Sequence, residues 1–127
     1  MRRFASAVID FVDLLYDKTP QAELKGIAFA CPLFEVKGAV KGAEEWRRRY
    51  QKRTGKLPTY VAAYAYDTAE SLGKTYSTFK KADPASIRKA LPYDGITGKI
   101  NVDKDGDIVA TITIAKLALD GTIAEIK

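Results

Sequence analysis

Hydrophobic positions first recur at helical spacing. Phe4, Val8, Phe11 or Val12, and Leu15 fall on one face and predict an amphipathic helix over residues 3–17, closed by the Thr19-Pro20 break. Lys25 to Ala30 is a short apolar run ending at Cys31-Pro32, the pattern of a buried strand. Ala39, Ala43, Trp46 and Tyr50 are then spaced 4, 3 and 4, giving one buried stripe to a helix from about Val40 to Thr54. Gly55 stops that helix, with Pro58 beyond it. Pro58-Thr59 opens a long helix to about Lys81, with Thr59 as its cap. Asp83 and Pro84 take the N-cap and first helical positions of a short helix through Leu91, which Pro92 ends. From Gly98 the period falls to two. Ile108, Ala110, Ile112 and Ile114 share one strand face; Val109, Thr111, Thr113 and Ala115 share the other. Asp120-Gly121 signals a hairpin turn, with Thr122 to Ile126 as the return strand.

Helices therefore come first and strands last, with one strand among the helices. The fold class is α/β: helices packed on a small sheet, with a terminal β-hairpin. No repeat, low-complexity segment or linker divides residues 1–127, so they read as a single domain. Few strands are available for the helices to cover. That imbalance predicts a piece of a larger α/β protein, or a partner chain that completes the sheet.

Composition sharpens this picture by exclusion. With 127 residues, 46% of them hydrophobic and 29% charged, the chain has the make-up of a globular protein able to form a real core. No run approaches the roughly 18 apolar residues of a membrane helix. Two arginines precede the apolar start, but Asp10 and Asp13 interrupt it, so an amphipathic helix fits better than a signal peptide. Cys31 is the only cysteine and there is no histidine. Within one chain this removes disulfides, Cys/His and Ser/His catalysis, and zinc sites of the usual kind. The net charge of +5 leans modestly towards acidic partners.

Several stretches invite a chemical reading. Arg47-Arg48-Arg49, with Lys52, Arg53 and Lys56, resembles a phosphate-binding patch. The Trp46 stripe turns these arginines mostly outward, and Glu44 and Glu45 stand one turn before Arg48 and Arg49, so a solvated helix face is favoured over nucleic acid. Asp103-Lys104-Asp105-Gly106-Asp107 begins like a calcium loop. Its glycine is at position 4 instead of 6, and Ile114 occupies position 12, so it reads as a tight acidic turn. No paired carboxylates for acid–base work and no phosphate loop are present, and no metal or cofactor is expected. The helix 59–81 carries two stripes. Ala62, Ala65, Ala69, Leu72 and Tyr76 form a small-residue face suited to close packing, and Tyr60, Tyr64, Asp67 and Ser71 form an aromatic and polar one. From spacing alone the second stripe reads first as an interfacial band whose polar groups find hydrogen bonds, and second as the wall of a small-molecule cleft.

The order of these pieces carries a resemblance. A basic helix ends in Tyr50-Gln51-Lys52-Arg53-Thr54-Gly55-Lys56-Leu57-Pro58 and runs into Tyr60-Val61-Ala62-Ala63-Tyr64-Ala65-Tyr66-Asp67. A D-P-x-x-I-R-x-A-L helix follows at Asp83 to Leu91. Then come Gly95-Ile96-Thr97-Gly98-Lys99-Ile100-Asn101-Val102-Asp103, Asp105-Gly106-Asp107, and a last Asp120-Gly121. Over roughly residues 24–127 this resembles the carboxy-terminal part of the type I periplasmic solute-binding proteins, the branched-chain amino acid-binding or extracellular ligand-binding receptor family. Their pattern is Y-x-x-x-G-x-x-P, A-Y-D-A, then G-x-x-G-x-I-x-F-D-x-x-G-D. Thr68 replaces the usual Ala, and Asn101-Val102-Asp103 stands where the family has a hydrophobic residue, an aromatic and Asp.

The resemblance implies part of a two-lobed α/β fold that closes on an amino acid or a related carboxylate, aromatic acid or amide. It implies a non-enzymatic partner of an ABC permease or a sensor, in the periplasm or outside the cell. Phe34, Tyr60, Val61, Tyr64 and Asp67 are the ligand-contact candidates it marks. Family members are much longer, and their amino-terminal lobe is absent from this sequence. A fragment, a natural truncation, and a homo-oligomer formed by exchanging elements are the three readings of that difference. In the last of them the domain has become a structural, oligomer-forming module.

Overall fold

The structure, a computed structural model, describes residues 4–5, 27–118 and 121–126. Among them the strands are β1 (Phe4–Ala5), β2 (Ala28–Pro32), β3 (Tyr93–Gly95), β4 (Gly98–Val102), β5 (Ile108–Val109), β6 (Ile112–Leu117) and β7 (Ile123–Glu125). The helices are α1 (Ala43–Thr54), α2 (Tyr60–Phe79) and α3 (Pro84–Ala90). One sheet runs β1-β2-β6-β7, with β1 parallel to β2 and the other neighbours antiparallel. A second runs β3-β4-β5, antiparallel throughout. The architecture is α/β, as the sequence pattern implies.

Each helix ends where its sequence says it should. Thr59 caps α2 by accepting from the Ala62 N–H, and Asp83 caps α3 by accepting from the Ser86 N–H at 2.8 Å. Gly55 closes α1 with a left-handed φ of 71°. Glu44 and Glu45 lie in the first turn of α1 and Lys52 and Arg53 in its last, which matches the helix dipole at both ends. In the terminal hairpin Gly121 has φ 79°, and the Ala118 N–H donates to the Thr122 carbonyl at 2.7 Å.

Three expectations change. Phe4 and Ala5 are extended and pair with Ala28 and Phe29, so the helix predicted over 3–17 does not include its first turn; the rest of that span lies outside the described residues. The strand predicted through Ile108 to Ala115 divides at Ala110-Thr111, where the chain leaves β4 as its partner and takes β2. The small-residue face of α2 packs only at Ala62, which is half-buried against α1; Ala65 and Ala69 are exposed, and Leu72 and Tyr76 are 38% and 60% exposed. The buried line is instead Ala63, Asp67 and Thr75. A polar line can take the inner position because its members are satisfied there, Thr75 by donating to the Ser71 carbonyl at 2.8 Å and Asp67 as described below.

Two apolar clusters meet at the turn Leu33–Glu35. Phe29, Cys31, Val36, Ala115, Leu117 and Ile123 form one, on a face of the first sheet. Burial there, with the Glu35 and Glu125 carboxylates nearby, pushes the Cys31 thiol up to about 11. Phe34, Ala43, Trp46 and Ala63 form the other, between α1 and α2. Cross-strand pairing places Ala30, Ile114 and Ile126 in one row of the opposite face of the sheet, with Pro32 and Ile112 beside it. Ile112 and Ile114 are 57% and 49% exposed. The sheet is therefore apolar on both faces, the pattern of a sheet that sits between two covering layers.

The acidic turn between β4 and β5 is built by one side chain. Asp103 Oδ1 accepts from the backbone N–H groups of Asp105, Gly106 and Asp107, at 2.9, 2.9 and 3.0 Å. Gly106 supplies the left-handed φ of 98°. These bonds, that of Asp107 foremost, hold the Asp103 carboxyl below the usual carboxylate range. Arg88 of α3 donates to the Asp103 carbonyl at 2.9 Å and ties the turn to the helix.

Candidate functional site

The amino-terminal half of α2 gathers most of the residues marked by the sequence. Tyr60 and Tyr64 are one turn apart and meet edge to face at 6.4 Å between ring centroids. Both are half-buried, and Val61 beside them is 59% exposed. Burial raises the Tyr64 phenol above its ordinary pKa, with the Asp67 carboxylate and then Tyr60 adding to it. Tyr64 thus offers a neutral hydroxyl through the physiological range.

Asp67 is fully buried and bonded within the chain. Its Oδ1 accepts from the Ile96 N–H at 2.9 Å; its Oδ2 accepts from the Thr97 N–H at 2.8 Å and the Thr97 hydroxyl at 2.6 Å. A charged acceptor with three donors is among the stronger polar arrangements a protein interior holds. It clamps α2 to the β3–β4 turn. The approach is so close that a Cβ built on Gly95 would collide with the Asp67 carboxylate, so glycine alone fits there without displacing it. Lys74 adds a second link from α2 to β3, with its ammonium 4.6 Å from the centre of the Tyr93 ring.

Phe34 stands apart from the surface of α2. It is 0% exposed, with Trp46 edge-on at 5.8 Å and the Arg47 guanidinium 3.8 Å over its ring. Arg47 also donates to the Phe34 carbonyl and lies 3.8 Å from Glu35. This arginine faces inward, unlike the exposed Arg48 and Arg49, because a planar guanidinium can stack and hydrogen-bond at once. The structure thus brings Tyr60, Val61 and Tyr64 together at the surface, places Asp67 further along the same stripe where α2 meets the β3–β4 turn, and sets Phe34 deeper in the core between α1 and α2.

Sequence reasoning missed Arg47, Gly95 and Thr97 as parts of this arrangement. The available signal was Gly95-Ile96-Thr97 following a helical Asp, since a carboxylate clamped on successive backbone N–H groups needs a residue without a side chain beside it. Among the described residues no group of three or more His, Cys, Asp or Glu could hold a metal ion, and no helix is long and apolar enough to cross a membrane.

No protein-family model matches this chain, and no curated protein sequence does. Solved structures do. A branched-chain amino acid ABC transporter protein of Rhodospirillum rubrum superposes with a TM-score of 0.75 at 20% identity, covering 99% of this chain and 37% of its own. A solute-binding protein of Rhodopseudomonas palustris BisB5, solved with 3,4-dihydroxybenzoic acid, gives 0.69 at 26% identity over 91% of this chain and 32% of its own. A leucine-binding protein of Thermotoga maritima gives 0.67 at 20% identity, over 98% and 36%. The chain spans about a third of the length of the structures it matches. Its fold is part of the type I periplasmic solute-binding fold, as the order of its motifs suggested.

Proposed function

We propose that the chain is part of the small-molecule-binding component of an ABC-type uptake system, and that Tyr60, Val61 and Tyr64 form one wall of its ligand cleft. The observation that carries this is the pairing of an exposed Val61 and two half-buried tyrosines with a helix that Asp67, one turn beyond Tyr64, clamps to the β3–β4 turn. A rigid support under an apolar and hydroxyl-bearing surface suits an amino acid or a related carboxylate, aromatic acid or amide. Phe34 and Asp67 act as supports of that wall from the interior. The component works without catalysis, in the periplasm or outside the cell, and its loaded form docks on a permease or a sensor. The relatives that bind leucine and 3,4-dihydroxybenzoic acid set the ligands to try first.

The test is thermal unfolding of this chain with leucine and with 3,4-dihydroxybenzoate at millimolar concentration. Stabilisation by either, lost in Val61→Asp, supports the wall. No stabilisation by any amino acid or aromatic acid sinks the reading for this chain.

The sheet with two apolar faces favours a second reading, a non-enzymatic oligomer-forming domain in which another copy covers Ile112, Ile114 and Ile126. Light scattering separates the two. A dimer that Ile114→Lys dissociates supports the second reading, and a monomer at every concentration rejects it.

A further inference from the structure

On the other flank of α2, and away from Tyr60 and Tyr64, a groove of about 510 Å³ opens between α1 and α2. At about 100° per residue, the Ala62–Tyr66 pair that borders it stands roughly 160° around the helix from the Tyr60–Tyr64 pair. The buried Ala63–Asp67 line separates them. The floor is aromatic. Trp46 is packed between Tyr50, at 5.2 Å, and Tyr66, at 5.4 Å, and all three rings border the groove. The rim is cationic: Arg49, Lys52 and Arg53, all exposed, line it, and no described acid does.

A solvated helix face would account for the cations, and packing between α1 and α2 for the rings; what neither supplies is the open groove in which the two meet. Glu45 lies near Arg49 and Lys52 on the outer side of the rim, and Arg53 lies beyond its reach. This acid shares a separate depression with Arg48, Arg49 and Lys52. Aromatic faces bind planar apolar bodies, and guanidinium groups at the rim recognise an oxyanion in a forked geometry. The volume suits a small molecule.

We infer that this groove is a second ligand site, distinct from the cleft wall, which takes a small anion with an aromatic body, its ring over Trp46, Tyr50 and Tyr66 and its carboxylate on Arg49 and Arg53. Lys52 adds long-range attraction.

Trp46 is the only tryptophan and therefore reports directly. The test titrates 3-phenylpropanoate and its neutral amide into the whole chain, exciting at a wavelength that the phenyl ring does not absorb. Saturable change of Trp46 emission by the acid is expected, with the amide about tenfold weaker and the acid's affinity falling as salt rises. Arg49→Gln with Arg53→Gln brings the acid's affinity down to that of the amide and leaves the fold intact, since both side chains are exposed. Val61→Asp leaves the Trp46 response unchanged, which separates this site from the proposed cleft. Equal binding of acid and amide, or an acid response indifferent to the double variant, overturns the inference. So does a response lost in Val61→Asp alone. A twelve-nucleotide oligothymidylate that reproduces the arginine-dependent response where 3-phenylpropanoate gives none also overturns it, because the groove would then read a polyanion.

Discussion

Asp67 and Asp103 each collect three hydrogen bonds, but Asp67 does so fully buried and across 29 and 30 residues of sequence, whereas Asp103 is exposed and reaches no further than four. In bond count the two are equals. They differ in what water could supply if the carboxylate were removed. Around Asp103, solvent can replace every lost acceptor, so the side chain selects a turn that the chain could reach by other means. Behind α2, the Ile96 and Thr97 N–H groups would be left without an acceptor, and the desolvation cost falls in full. The same group is therefore a local shaping device in one place and a tertiary clamp in the other.

The sharpest way to break this comparison is to delete both side chains in turn. Asp67→Ala is expected to cost roughly 3–5 kcal/mol in denaturant unfolding, because it orphans the buried N–H and hydroxyl of Thr97 and the part-buried N–H of Ile96. If Asp103→Ala costs as much, burial is not the deciding factor. Gly95→Ala follows at about 2–3 kcal/mol, since the new Cβ must displace the Asp67 carboxylate or the backbone. In the double variant with Asp67→Ala the two costs should add to less than their sum, as the shortened side chain vacates that space. Full additivity would mean the two positions do not touch. Thr97→Val removes one of the three bonds and keeps the shape, at about 1 kcal/mol by thermal unfolding. Asp103→Ala is expected to give the smallest loss.

Its pH signature is separable. The folded pKa of Asp103 is depressed, so the stability it contributes is present above the ordinary carboxylate range near 4 and is lost as pH falls through the folded value. Acid unfolding followed below about pH 4 should therefore be less steep in Asp103→Ala than in the parent. An unchanged slope would show that the turn contributes nothing to acid sensitivity.

Most of the fold was legible because its punctuation is local. Thr59, Asp83, Gly55 and Gly121 act within a few residues of themselves, and each ends or opens an element where expected. What could not be read was non-local. The alternation from Ile108 to Ala115 is unbroken in sequence, yet the backbone changes partners at Ala110-Thr111, and periodicity carries no information about partners. On α2, spacing found both stripes, but the buried line Ala63, Asp67 and Thr75 shares only Asp67 with them, and Asp67 is held inside by the Ile96–Thr97 donors some thirty residues away. Asp67 was picked out for its position among tyrosines, and its hydrogen bonds are what the structure adds. Arg47 could not be told from Arg48 and Arg49 by type; only the Phe34 ring and carbonyl distinguish it.

The contact between Gly95 and Asp67 also couples the histories of the two positions. As long as the carboxylate stands there, a side chain at position 95 must displace it or the backbone. A change at either place alone lowers stability, and each change makes the other milder. Shortening residue 67 leaves room at position 95, and a side chain at position 95 disturbs the clamp that residue 67 supplies. Neither position is closed, but each sets what the other can tolerate.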